Sequence, residues 1–352
     1  MLTRSEIVEL LRLRGREQQE LFEHAVSLRE REFGQLGMVR GVIEITNLCR
    51  VNCHYCPMRL ANTRRNEVYL MRPDEIVETS RIIRDCGIRI VFLQGGEIPQ
   101  TTRLVGEVIP EIRRIFDGNV EILLCLGNKT VKDYAYLKEQ GADSYILKHE
   151  TADPLLHERV RESSWFERKR CLADLLHLGY RVGTGVIVGL PHQSFESLAD
   201  DIIFAKELGA HMMSASPFLP AQNTPLEQQL PGDLDTTLNL IAVSRIIEPK
   251  WLIPSVSALE KLRKGGHVAG MRAGANVMTA NFTSPSRQSN YLIYGGNRFI
   301  VQQQHIWAVL RNAGLRPDLN SSCAEMGSTE TAGLIASKSE SISPSEVLNE
   351  NW

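Results

Sequence analysis

A chain of 352 residues, 43% of them hydrophobic, is long enough to bury a large core. Lys and Arg total 40 against 42 Asp and Glu, a net charge of −2, so there is no basic field to suggest a nucleic-acid partner. The opening Met1-Leu-Thr-Arg-Ser-Glu6 lacks the apolar stretch of a secretory signal, and no run reaches the roughly 18 apolar residues of a membrane span. The expected setting is the cytoplasm, with no membrane partner. Seven cysteines, odd in number and scattered apart from one cluster, argue against a disulfide framework and for a reducing compartment. Cys86, Cys125 and Cys171 read as small buried hydrophobes.

Residues 1–35 read as helix, opened by a capping box at Thr3-Arg-Ser-Glu6 and closed by Gly34 and Gly37. They form a helical cover (1–37) for the side or bottom of a barrel. From residue 38 onward, strand-like runs alternate with helical patterns. The runs are 38–45, 88–93, 120–126, 144–148, 181–188, 211–217, 251–256 and 275–280. They are rich in Val, Ile and Leu and apolar on both faces, as strands of a buried parallel sheet are. Between them, Pro73-Asp-Glu carries the proline and acids of a helix start, and 195–208 and 234–247 are amphipathic. Eight such units predict an α/β fold, a (β/α)8 TIM barrel over 38–319. A six-unit partial barrel is the alternative, because Gly265, Gly266 and Gly270 interrupt the last units. Residues 320–352 are Ser-rich with few large apolar side chains. Such a tail cannot offset the entropy of ordering and is expected to be disordered.

The chemistry concentrates at Cys49-Arg-Val-Asn-Cys53-His-Tyr-Cys56, just after the first strand. Thiolates are soft ligands that favour iron–sulfur clusters, zinc or copper(I). Three at this spacing can hold three corners of a four-iron cube and leave the fourth iron open to a small molecule. The competing reading is a non-catalytic zinc site with His54 as fourth ligand, an awkward geometry beside Cys53. In a parallel barrel the site lies at the C-terminal strand ends. Those ends carry Gln94-Gly95-Gly96-Glu97, Gly127-Asn128, Lys148-His149-Glu150, a glycine-rich run to Gly189, Pro217-Phe-Leu219, Ser255 and Ser257, and Thr279.

The CxxxCxxC motif, Gln94-Gly-Gly-Glu97, Lys148-His-Glu-Thr-Ala152, Gly185-Val-Ile-Val-Gly-Leu-Pro191, Asn223-Thr-Pro225, Leu252-Ile-Pro254 and Gly274-Ala-Asn276-Val together resemble the biotin-synthase-like group of radical S-adenosylmethionine (SAM) enzymes. Within that group the likeness is to the HydE-type [FeFe]-hydrogenase maturases first and the methylornithine synthases (PylB) second, over roughly residues 40–315. The resemblance implies a [4Fe–4S] cluster on Cys49, Cys53 and Cys56. It implies a SAM pocket formed by Tyr55, Gly95, Gly96, Glu97, Glu150, Arg168, Ile187, Gly189 and Leu219. The implied chemistry is reductive cleavage of SAM to a 5′-deoxyadenosyl radical, driven by a one-electron donor such as flavodoxin or ferredoxin.

The substrate end departs from both relatives. Residues 294–305 carry none of the cysteines that hold an accessory cluster in many such maturases. Ser255-Val-Ser257 stands where those maturases have consecutive threonines, and Ala258 where the methylornithine synthase places an acid. Gln94, Asn128, Ser255, Ser257 and Thr279, with Arg272 as a carboxylate partner, point to a small polar substrate. The product class stays open between metallocofactor assembly and rearrangement of an amino-acid skeleton.

Overall fold

The computed structural model describes residues 2–64 and 66–319. Two helices come first, α1 (Arg4–Arg12) and α2 (Gly15–Phe33). There follow β1 (Leu36–Thr46), a 3-10 turn at Leu60–Asn62, α3 (Pro73–Asp85), β2 (Ile90–Gly95), α4 (Gln100–Ile115), β3 (Glu121–Cys125), α5 (Val131–Glu139) and β4 (Ser144–Ile146). Next come α6 (Pro154–Arg161), α7 (Trp165–His177), β5 (Arg181–Val188), α8 (Phe195–Glu207), β6 (Met212–Pro217) and α9 (Leu234–Ile247). The chain continues through α10 (Ser257–Leu262), α11 (Gly266–Arg272), β7 (Val277–Asn281), α12 (Pro285–Gln288), α13 (Gln303–Asn312) and β8 (Arg316–Asp318).

Every strand pairing is parallel, in the order β6-β5-β4-β3-β2-β1-β7. The ring closes through residues 252–254, where Leu252 bridges Met212 of β6 and Pro254 bridges Val277 of β7. This is the predicted (β/α)8 barrel. Its seventh stave pairs as isolated bridges rather than as a strand, and Pro254, lacking an N–H, cannot extend the ladder. Two features differ from expectation. The N-terminal helix is broken at Leu13 and Arg14, and the short β8, not foreseen, pairs with Leu36–Met38 at the start of β1. The predicted disordered tail, with Cys323, lies outside the described residues.

Side-chain alternation on β1 divides the core. Val39, Ile43 and Ile45 face outward into the layer shared with the helices, whereas Met38 and Val42 belong to an inner cluster with Ile90, Phe92, Leu123, Met212, Leu252 and Val277. Phe33, the last residue of α2, joins that inner cluster and plugs the N-terminal mouth of the barrel. Helix α9 is buried along nearly its whole length because α1 and α2 cover its outer side. Asn239 fixes that cover: its amide donates to the carbonyls of Leu11 (3.0 Å) and Leu13 (2.9 Å) and accepts from Gln18 (2.8 Å). The capping box read from Thr3 and Glu6 is present, with the Thr3 N–H 2.6 Å from Glu6 Oε2.

Candidate active site

The C-terminal strand ends surround a cavity of about 330 Å³. The loop after β1 brings Cys49, Cys53 and Cys56 to its wall. That loop is built from its own backbone: Leu60 N–H donates to Val51 O (3.0 Å), Arg59 N–H to Cys56 O (3.1 Å), and the Ala61 N–H to Asn52 Oδ1 (2.9 Å). It is anchored outward by His54 N–H on Val160 O (2.7 Å) and Arg50 N–H on Glu97 O (2.9 Å). The His54 ring turns to Glu162, 2.6 Å away, and does not line the cavity, so it cannot complete a zinc site with the three thiols.

Charges are arranged across from the thiols. Glu97, buried at the end of β2, accepts from Arg161 (2.8 Å) and from the Asn128 N–H (2.8 Å), with Arg50 at 3.4 Å and Arg168 at 3.9 Å. Arg161 also reaches to 3.7 Å from Cys53 Sγ. Glu150, a non-glycine residue at φ +66°, lies 3.2 Å from Lys148 Nζ. Burial alone would raise the Glu150 carboxyl, but Lys148, then Arg161 and Arg168, hold it below the usual carboxylate range. The lining holds five cations (Arg40, Lys148, Arg161, Arg168, Arg298) against three carboxylates (Glu44, Glu97, Glu150), a surplus that suits thiolates and an anionic ligand.

A model of the radical SAM superfamily matches residues 43–205. The chain is 39% identical over 305 residues to the [FeFe] hydrogenase maturase subunit HydE of Thermotoga maritima, an alignment covering 86% of each protein. It is 28% identical over 295 residues to the 3-methylornithine synthase of Methanosarcina acetivorans, with 81% of each covered. The crystal structure of a methylornithine synthase (PylB) superposes with a TM-score of 0.78 at 25% identity, covering 92% of this chain and 96% of that one. The chain belongs to the radical SAM superfamily. It is therefore an enzyme of the [4Fe–4S] cluster and SAM, one that requires a one-electron donor and acts on a small molecule.

The residues present fit that pair of groups. Cys49, Cys53 and Cys56 are free thiols. Among the described residues the one trio of His, Cys, Asp or Glu donors within 4.8 Å of one another lies elsewhere, so at least one pair of the three sulfurs stands further apart than that. A single tetrahedral zinc would draw them to about 3.8 Å, whereas a cube needs the wider spacing. Burial, then Cys53 and Cys49, push the Cys56 thiol well above its ordinary value; burial also raises Cys53, with Arg161 opposing. A cationic cluster reverses that balance. Gly96 makes room for the loop, since a Cβ there would sit 2.0 Å from Leu48 O and 3.0 Å from Cys49 Cβ. Glu150 Oε2 is buried and faces Lys148 Nζ at 3.2 Å, a charged pair on the cavity wall that can take the polar end of a ligand. Tyr55 packs on an apolar patch of Leu156, Val160, Ile187, Leu190 and Phe218, next to Leu219, a surface that suits a flat ring.

Most of the expected site residues converge on this cavity: the three cysteines, Tyr55, Gln94, Gly95, Gly96, Glu97, Glu150, Arg168, Ile187, Leu219, Ser255, Ser257 and Thr279 all line it. Three do not. Arg272 is exposed on α11 and donates to Asn312 O (2.9 Å), pointing away from the barrel. Gly189 is exposed beyond the end of β5 and does not line the cavity; glycine is needed there for φ +90° and for a Cβ position 2.4 Å from Gly232 Cα. Asn128 sits behind Glu97, which its backbone N–H holds.

Three arginines of the site, Arg161, Arg40 and Arg298, are not among the residues expected from the sequence. Arg161 falls on the buried stripe Leu156, His157, Val160, Arg161 of α6, so its helical phase with apolar neighbours is the available signal. Arg40 shares the inner face of β1 with Met38 and Val42, where strand alternation forbids a solvated cation. It is 1% exposed. Its hydrogen bond is to Met212 Sδ at 3.3 Å, its Nε is unpartnered, and no carboxylate of the described residues pairs with it.

Proposed function

We propose that this enzyme is a HydE-type radical SAM enzyme of metallocofactor assembly, acting on a small substrate that carries an anionic group. When bound, the cluster and SAM supply one reducing electron and a sulfonium that yields methionine and a 5′-deoxyadenosyl radical. Cys49, Cys53 and Cys56 hold the cluster, and Glu150 and Arg168 receive the polar end of SAM. Arg161, between Glu97 and Cys53, keeps the two halves of the pocket in register. Tyr55, Ile187 and Leu219 flank the adenine. The 39% identity to a HydE protein over most of the chain supports the class of pathway.

The substrate reading rests on one observation, the buried guanidinium of Arg40 without a carboxylate partner. An uncompensated buried ion costs several kcal/mol, and an anion of the ligand would offset that. Its planar fork suits a carboxylate taken bidentately. Arg40 thus fills the role expected of Arg272. Ser255, Ser257, Gln94 and Thr279 add hydroxyls and an amide along the same cavity. Flavodoxin or ferredoxin is the donor of the chemistry required.

The test is an anaerobic assay for 5′-deoxyadenosine with reconstituted, reduced protein and deuterated candidate substrates. SAM cleavage is expected with the intact chain and lost in Cys49→Ala. Cleavage retained by that variant overturns the scheme. The similarity to the PylB structure supports a second reading, an amino-acid carbon-skeleton mutase. Conversion of lysine to an isomer would establish that reading and displace the first.

A further inference from the structure

Beyond the thiols lies a second cluster of metal-ligating groups, contributed by three separate elements. Glu260 comes from α10, His267 from the first turn of α11 and His305 from the first turn of α13. One donor atom from each lies within 4.8 Å of the other two. His267 Nδ1 stands 2.9 Å from His305 Nε2 and 3.6 Å from Glu260 Oε2. We propose that Glu260, His267 and His305 form a binding site for a divalent first-row transition ion such as zinc, separate from the cysteine site.

Three observations carry this. First, the spacing is right. Donors around an ion with bonds of about 2.0–2.1 Å are separated by about 3.0–3.4 Å, and His267 Nδ1 stands at nearly that separation from each of the other two. Second, the ligands are preorganised. Glu260 is fixed by the N–H groups of Gly265 (2.9 Å) and His267 (2.9 Å), and the His267 carbonyl accepts from Ser255 Oγ (3.0 Å). The rings of His267, His305 and Phe299 pack together with centroids 4.7–5.7 Å apart, which locks both imidazoles. Such supporting contacts orient the ligands of metal sites. Third, His267 is 0% exposed and a single ring nitrogen, Nδ1, faces both other donors, His305 Nε2 at 2.9 Å and Glu260 Oε2 at 3.6 Å. A wholly buried imidazole facing another imidazole and a carboxylate is poorly explained by packing.

Binding balances simply. Two neutral imidazoles 2.9 Å apart share one proton on the nitrogens that face each other. The ion takes its place and that proton moves to the far nitrogen of the same ring, so both imidazoles bind as neutral ligands and Glu260 stays ionised. Two His and one carboxylate leave at least one coordination position to water or to an anionic group of a molecule in the cavity, whose wall includes His267. The donor set of imidazole and carboxylate favours zinc or iron(II) over copper(I).

The test uses the full chain with its cluster reconstituted anaerobically. It is incubated with zinc sulfate, desalted and assayed for zinc, with X-ray absorption at the zinc edge reporting the ligands. The expected result is equimolar retained zinc with nitrogen and oxygen ligands. Glu260→Gln and His305→Phe, the latter keeping an aromatic ring against Phe299, are expected to weaken binding more than about tenfold while iron content and circular dichroism stay unchanged. No retained zinc, sulfur-ligated zinc, or equal zinc in the wild type and both variants overturns the proposal. The readout is independent of SAM cleavage, so this site and the radical chemistry stand or fall separately.

Discussion

Arg161 decides how the two halves of the site hold together, because its guanidinium lies within 4 Å of both Glu97 and the thiol of Cys53. Arg161→Met leaves Glu97 with the Asn128 N–H at 2.8 Å and no close cation, since Arg50 stands at 3.4 Å and Arg168 at 3.9 Å. Stripping one partner from a buried pair costs on the order of 3 kcal/mol. Urea denaturation should show a loss of that size, and SAM affinity should fall with it. Arg161→Lys should recover part of the stability but less of the affinity, because a lysine cannot bridge two groups with a planar fork. A second residue-scale prediction concerns Lys129, whose ammonium is buried against Ile98 O (2.5 Å) and Thr101 Oγ1 (2.7 Å). Burial lowers it to about 8 from its ordinary 10.5. The folded chain therefore sheds this proton before the unfolded chain does, so between pH 8 and 10.5 the unfolded state binds more protons. Stability from this group must then rise with pH across that window. Thiols and tyrosines titrate there too, so the quantity to measure is the wild type minus Lys129→Met. That difference should shift in favour of the wild type by a few kcal/mol from about pH 7.5 to 10. A flat difference would contradict the burial argument. If Arg40 holds the substrate as proposed, Arg40→Met should raise the substrate KM at least tenfold while leaving substrate-free 5′-deoxyadenosine formation unchanged.

At the scale of elements, the strand-to-helix joints carry the function, and Gly96 shows how tightly one is made. A methyl group there meets a backbone oxygen at 2.0 Å, which no rotamer change relieves. Gly96→Ala should displace the Leu48–Cys49 backbone and cut the iron retained after desalting several-fold, with the barrel still folded by circular dichroism. Joints like this are legible in the amino-acid sequence, because a buried parallel strand is a run of Val, Ile and Leu and the active end follows from strand direction. All eight runs are staves of the ring, 251–256 by bridges alone. The facing of single side chains is less legible. Arg272 is close in sequence to a stave yet lies on the outward face of α11, and nothing within the short helix 266–272 distinguishes its two faces. Gly189 ends a strand that points at the cavity, but the chain has already turned outward there. Arg161 misleads the other way: a lone arginine reads as solvated, and its burial is decided by the tertiary seat of α6 against the cysteine loop. Fold is thus written in runs of residues, whereas site membership depends on the angular phase of one residue.

For the molecule as a whole, radical chemistry requires that the interior be closed at both ends, and two segments outside the repeating units do this. Phe33 fills the N-terminal mouth among Met38, Ile90, Met212 and Leu252. The segment 289–302 covers the other, lining the cavity with Tyr291, Tyr294, Phe299 and Val301. It is pinned to β1 by Arg298, which binds Glu44 through two hydrogen bonds of 2.6 and 2.5 Å. It is pinned again by Lys261, which donates to Tyr294 O (2.7 Å) and Gly296 O (2.8 Å). The two closures should fail differently. Phe33→Ala removes a core ring far from the thiols and should cost about 3–4 kcal/mol of stability, with little effect on chemistry at temperatures where the chain stays folded. Arg298→Ala strands Glu44 beneath a cover that has lost its bidentate anchor, so water and small quenchers gain access while the cysteines, Glu97 and Glu150 keep their places. SAM cleavage should continue in that variant, but the ratio of 5′-deoxyadenosine to product should rise several-fold, and deuterium from labelled substrate should appear in a smaller share of the 5′-deoxyadenosine. If Arg298→Ala instead abolished cleavage with the ratio unchanged, 289–302 would belong to the SAM pocket itself, and exclusion of solvent would have to be assigned to another part of the barrel.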